Sequence, residues 1–368
     1  MSNNYLGNNN KIISIDNDRK TMRNVKEEGK NLSSKKSGLD WWITRIRVLQ
    51  GLSAEAIEHC PEIAEATEKY EEEEKTGSWT FLKLLTLQYY VSVYTTIAKS
   101  RFGRIAYIDL CAGDGFNRIK EINEVIVGSP VIAHIIPRKR TKNGKSKEFD
   151  TMILVEKNPK KADRLKKVMP DSAYILNADA NSEDTKNFIK NKLVEEDIKH
   201  FFAFVDPNAM EVHWKTIEEL LVMKGDLIIN FMTSPIQRIW GSYFSDNISP
   251  KLKPKKEKFD NFFGDESWTN IPSPEEGGKI DGLLDFYMSK IREHREIVIP
   301  IHVRGLRGLF HYHMLAATRR TSGPQRWLES IERVRNKVET VTDSDIKYFF
   351  RIYRGKQKTL DSFYTSKE

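Results

Sequence analysis

The order of apolar and polar positions divides the chain into an arm, a helical extension, an alternating body and a tail. Residues 1–38 are rich in Asn, Ser, Lys and Gly without a sustained period, which predicts a disordered or flexible arm. Over 39–100 the period is helical. Trp42, Ile46 and Leu49 recur on one face, a second helix is expected over 53–74, ending in an acidic run, and a third over 79–99. That third segment is apolar nearly all round, so it should be largely buried. From 101 to 323 short apolar runs alternate with amphipathic stretches, the pattern of an α/β domain with a parallel sheet. Strands are expected near 105–111, 151–156, 173–177, 201–206, 225–231, 297–303 and 310–318. Helices are expected at 129–136, 160–168, 182–195, 214–223 and 281–294. The linker 304–308 is short enough to make the last two strands an antiparallel hairpin. Insertions at 138–148 and 240–280 interrupt the alternation, and the second is long enough to be read as functional or mobile. The tail, 324–368, is expected to hold one helix from Gln325 to about Val338 and then a short aromatic segment.

Chemistry concentrates where the predicted strands end. The first strand runs into Asp109-Leu-Cys-Ala-Gly-Asp-Gly115. Glycines after a buried strand let the backbone turn tightly and approach a ligand. With Asp109, Ala112, Gly113 and Gly115, this segment looks like the first nucleoside-binding loop of an S-adenosylmethionine (SAM) methyltransferase. The second strand ends in Glu156, which can accept both hydroxyls of a ribose, and the third leads to Asp179, which can accept from an adenine amine. The bland alternative is that these carboxylates cap helices. The fourth strand ends in Asp206-Pro207-Asn208-Ala209, where a transferred methyl would sit. It resembles the D-P-P-Y motif of amino-methyltransferases, with Asn208 for the second Pro and Ala209 for the aromatic. Methyl transfer is an in-line displacement that needs alignment more than strong acid or base groups. Asp206, Pro207 and Asn208 are the candidate catalytic residues, unless Asp206 and Asn208 serve as an N-cap for the 214–223 helix. Trp214 or Phe116 would have to replace the missing aromatic. Asn230 and Thr233 close the same edge, while His311 and His313 face one side of a strand, as structural histidines or as a metal pair without an evident third ligand. No P-loop or H-E-x-x-H motif occurs.

Composition narrows the partners. The 368 residues carry a formal net charge of +8, which favours phosphate-rich partners through the basic stretches 138–147 and 251–258. Mean hydropathy is −0.56 and no apolar run approaches the roughly 18 residues of a membrane span, so no membrane association is expected. The first ten residues lack the apolar region of a secretory signal, and two distant cysteines, Cys60 and Cys111, make neither a metal cage nor a disulfide framework; a cytoplasmic protein is expected.

Several segments together resemble the three-Cys-motif partner family. They are Trp79-Thr-x-x-Lys83, Tyr107 to Gly115, Gly128-Ser-Pro-Val-Ile-Ala133, Phe204-Val-Asp-Pro207, Asp226 to Phe231, and Tyr312 to Arg319. The resemblance spans roughly 79–340. It implies a Rossmann-like, seven-stranded SAM-methyltransferase sheet and a partner carrying a three-cysteine iron–sulfur motif. The sequence thus leads to a SAM-dependent methyltransferase acting on nucleic acid or a nucleotide-like substrate. Its rival is a non-catalytic binding module of the same fold, favoured by the altered residues after Asp206.

Overall fold

The computed structural model describes residues 38–355 apart from 73, 140–145, 246–251, 309 and 321–325. The arm at 1–37 and the tail beyond 355 lie outside the described residues, as does most of the basic insertion at 138–148. A single helix, α1 (Gly38–His59), runs through the expected gap at 50–52 and stops well short of the expected end at 74. It ends at Cys60 because Pro61 disfavours helical backbone in the residue before it. Cys60 has φ −133 and ψ 58, and Pro61 opens α2 (Pro61–Glu68) where a missing N–H costs nothing. The acidic run at 71–74 is therefore not the end of a helix. Glu72 instead pairs with Lys75 and Lys120. α3 (Ser78–Phe102) is buried on nearly every face, as its apolar composition requires.

The body is a mixed α/β fold around a seven-stranded, mostly parallel sheet. Its strands are β1 (Ile105–Asp109), β4 (Thr151–Val155), β5 (Tyr174–Leu176), β6 (His200–Val205), β7 (Gly225–Phe231), β8 (Ile297–Arg304) and β9 (His311–Thr318). The spatial order is β5-β4-β1-β6-β7-β9-β8. The first five are parallel, and β9 runs antiparallel to both β7 and β8. Every residue of β1 and β4 is buried, as expected of strands covered on both faces. After β1 the chain steps to β4 on one side and later returns to β6 on the other. The crevice between β1 and β6 is therefore the topological switch point, where ligands bind in open α/β sheets. Helices α4 (Ser129–Arg138), α5 (Pro159–Val168), α6 (Glu183–Glu195) and α7 (Trp214–Val222) fill the connections.

Three features were not expected. A separate hairpin, β2 (Phe116–Ile119) and β3 (Glu124–Val127), follows the glycine loop. Its turn depends on Asn123 at φ 54, whose side chain accepts from the Arg118 guanidinium at 2.9 and 2.6 Å. The described residues of the 240–280 insertion are folded: α8 (Thr233–Ser245) and α9 (Leu252–Phe263) carry buried Trp240, Phe259, Phe262 and Phe263, and Trp268 is buried with them. Asp260 fixes Trp268 through its indole N–H at 2.9 Å. After α10 (Ile280–Arg292) and the β8–β9 hairpin, the tail forms two helices, α11 (Arg326–Glu339) and α12 (Asp343–Tyr353), in place of one. A Thr342–Asp345 capping box starts the second. Its ring Phe349 lies 5.1 Å from Trp42, so the tail packs on α1.

Candidate functional site

The carboxyl ends of four of the five parallel strands carry one acidic side chain each, while β7 ends in Asn230 and Phe231. In sheet order the acids are Asp179 beyond β5, Glu156 after β4, Asp109 closing β1 and Asp206 after β6. Four neighbouring strands at about 4.8 Å spacing spread them over roughly 14 Å. None is a helix cap: those positions belong to Asn158, Ser182 and His213. The capping alternatives are thereby excluded, including the N-cap role for Asp206 and Asn208.

The loop after β1 has the strained backbone that its glycines permit. Gly113 and Gly115 have φ of +66 and +92. The positive φ of Gly115 calls for glycine, and a Cβ there would also crowd Val168 at 3.1 Å. Buried Ala112 extends the strand by donating to the Val155 carbonyl at 3.0 Å. Glu156 ties the loop to β4: its two oxygens accept from the N–H groups of Gly113 and Asn158, each at 2.8 Å. Asp114 is not directed at a ligand. It is buried, accepts from the Tyr70 hydroxyl and lies 3.4 Å from Arg164.

Asp109 has no exposed surface. Its carboxyl accepts from Ser129 Oγ at 2.7 Å, the Tyr107 hydroxyl at 2.9 Å and the Cys111 N–H at 3.2 Å. Burial pushes its pKa up to about 7, with the Asp206 charge adding to the rise and the three donors opposing it. Fully buried and engaged by three donors, Asp109 is not presented for direct contact with a ligand. Asp179 is paired with Lys157 at 2.7 Å and accepts from the Asn181 N–H at 2.8 Å. Those bonds outweigh partial burial and hold its pKa below the usual value.

At the switch point Asp206 forms an ion pair with Lys83 and accepts from Asn230 Nδ2 at 2.6 Å. Asn230 is buried, and its Oδ1 has no partner among the described residues. Pro207 is buried beside this cluster, but Asn208 is exposed and is not brought into it. Trp214 and Phe116 do not replace the missing aromatic, because both are buried in the core, Trp214 edge-on to Tyr287. Two partly buried aromatics at this edge are instead Trp79 and Phe310, stacked at 4.2 Å. Trp79 lies one turn before Lys83 on α3, on the same face. Phe310 precedes β9, whose start adjoins the end of β7. Thr233 bonds His313 at 2.9 Å, and His302 joins His311 and His313 on the β8–β9 hairpin, 3.1 Å from His311. No His, Cys, Asp or Glu group suited to a metal ion occurs among the described residues.

The basic stretches are partly neutralised. Arg138 pairs with Glu148 at 2.8 Å and Lys139 with Glu55 at 2.9 Å, while 140–145 lie outside the described residues. On α9, Lys256 bridges Asp260 and Glu266, and Lys255 donates to the Ser242 carbonyl at 3.1 Å. Among the described residues no helix is long and apolar enough to cross a membrane.

No protein-family model and no curated protein matches the chain. Among solved structures it is similar to the Legionella pneumophila protein LPL1258, of the family model DUF519. The identity is 11% and the TM-score 0.40, over 69% of this chain and 91% of that one. A likeness of that size carries no functional argument.

Proposed function

We propose that the chain is a SAM-dependent methyltransferase whose acceptor is an amine of a nucleic acid or nucleotide-like substrate. One observation carries the reading: a row of four strand-end acids astride the switch point, beside a left-handed glycine loop. Its length of roughly 14 Å suits a nucleoside extended by an amino-acid chain. Asp179 would receive the adenine amine, Glu156 the ribose hydroxyls, and Gly113 and Gly115 the close approach of the ligand. A cationic sulfonium nearby would draw the proton from the buried Asp109, and the ionised carboxylate would in turn favour the sulfonium. The seven strands and terminal antiparallel hairpin are those implied by the sequence resemblance to methyltransferases.

Asp206 and Asn230 then form the acceptor end. A carboxylate and an unpartnered amide oxygen suit the N–H donors of an exocyclic amine. Lys83 holds the Asp206 carboxylate in the absence of substrate, and the Trp79–Phe310 pair offers an aromatic surface that Ala209 does not. Transfer of labelled methyl from SAM to RNA, DNA and free nucleotides tests the reading. Asp206→Asn is expected to abolish transfer while leaving SAM affinity within about twofold, and equal transfer by this variant would refute the assigned role.

A second reading keeps the fold and binds a partner, including one with a three-cysteine iron–sulfur motif, without catalysis. It is favoured by the engagement of both Asp206 oxygens and by the exposure of Asn208. SAM binding without transfer to any of the three acceptor classes would support it.

A further inference from the structure

A cavity of about 780 Å³ opens at the other end of the sheet, against the first residues of β6 and β7 and the last of β9. It is remote from the strand-end acids, which lie at the opposite ends of the same strands. Its volume falls within the roughly 300–1,000 Å³ typical of small-ligand sites. One wall is aromatic: Tyr94, Phe102, His200 and Trp327 line it. His200 is part of that apolar surface rather than a charge. Its ring stacks on Phe102 at 4.3 Å, its Nδ1 meets the Tyr94 hydroxyl at 2.8 Å, and burial pushes its pKa down to about 3.

The remaining lining is cationic. Arg101, Lys224, Arg319 and Arg326 reach the cavity from α3, the start of β7, the end of β9 and α11. Among the described residues none of the four forms an ion pair, and Arg319 donates only to the Val222 carbonyl at 3.4 Å. Opposing them are Asp226, held by the Thr318 hydroxyl at 2.6 Å, and the carbonyl end of α3, worth about half a charge. Behind Asp226 the buried Arg295 guanidinium donates to the carbonyls of Leu221, Met223 and Gly225, adding a further positive charge. The balance is positive, and four elements converge on it. Arginine forks favour phosphate, and aromatic faces favour a planar ring.

We infer that this cavity is a nucleotide site, with Arg101, Lys224, Arg319 and Arg326 receiving phosphate and the Tyr94–Phe102–Trp327 wall receiving the base. The inference is independent of the proposed methyl transfer. A free mononucleotide and one unit of an RNA strand share the required chemistry. Calorimetry with ADP, GDP and adenosine, and anisotropy with a labelled RNA pentanucleotide, separate these sources. At least one nucleotide or the pentanucleotide is expected to bind below millimolar, with adenosine about tenfold weaker than ADP. Arg101→Glu/Arg326→Glu, which alters two exposed side chains, should weaken binding about tenfold with an unchanged Tm. Saturating S-adenosylhomocysteine should leave that affinity unaltered. Pentanucleotide binding that ADP competes away assigns the site to a strand, and binding of ADP or GDP alone assigns it to a free nucleotide. No binding by the wild type, equal binding by the double variant, or displacement by S-adenosylhomocysteine would each overturn the inference.

Discussion

Asp109→Asn tests the physical state of the residue at the centre of the acidic row. The native carboxyl is fully buried, and its pKa rises from 3.8 to about 7. Between these values the folded protein holds a proton that the unfolded chain has released. Stability therefore falls as pH rises through this window, and the loss is complete above about pH 7. Each unit is worth about 1.4 kcal/mol, so the carboxyl should remove about 3 kcal/mol between pH 5 and pH 8. Asparagine keeps the shape and cannot titrate. Urea unfolding of both proteins at the two pH values isolates the effect, because other titrating groups are common to both. The wild type should lose about 3 kcal/mol more than the variant over this interval. Equal losses would show that the three hydrogen bonds keep Asp109 ionised, and the reasoning from burial would fail.

Lys83→Met should destabilise the fold by about 3 kcal/mol, because Asp206 is left partly buried without its cation. The Lys83→Met/Asp206→Asn pair should cost clearly less than the sum of the single changes, as read by urea unfolding. Gly115→Ala should cost about 1–2 kcal/mol at a left-handed residue, with more from the 3.1 Å approach to Val168, and a Tm equal to wild type would contradict the loop geometry. Burial pushes His134 down to about 3, and the nearby Arg138 adds to the fall. Its contribution is complete above the unfolded value near 6.5 and is lost as pH drops toward 3. His134→Leu should therefore lose less Tm than wild type between pH 7.5 and pH 4.5, and an identical loss would exclude this group as the cause.

The parts of the fold legible in the sequence are those set by burial on both faces. β1, β4 and β6 read as nearly unbroken apolar runs because helices cover both sides of the sheet, and β7 keeps an apolar centre between Asp226 and Asn230. Pro61 marks the true break, yet the helix expected over 53–74 runs through it, while the helical period across Gly51 was divided where the structure is continuous. The aromatic core of 240–280 was obscured by its lysines and prolines, since Phe259, Phe262 and Trp268 find each other only in three dimensions. Within the site, sequence located the acids and glycines but not their partners. Lys83 and Asp206 are 123 residues apart, and nothing local couples them. Ser129 and Tyr107 saturate Asp109 from a helix start and from its own strand, which explains why a residue expected to touch the ligand is shielded instead. Asn208 was placed at the reacting end by adjacency alone, and the turn after Pro207 exposes it.

The central claim is that the acidic row and glycine loop bind SAM. Calorimetric titration of the full chain with SAM, repeated with Glu156→Ala, tests it most directly. The account predicts one site per chain for the wild type and at least about tenfold weaker binding for the variant, the loss of roughly 1.4 kcal/mol of hydrogen bonding to the ribose. Absence of heat at millimolar SAM with the folded wild type would contradict it.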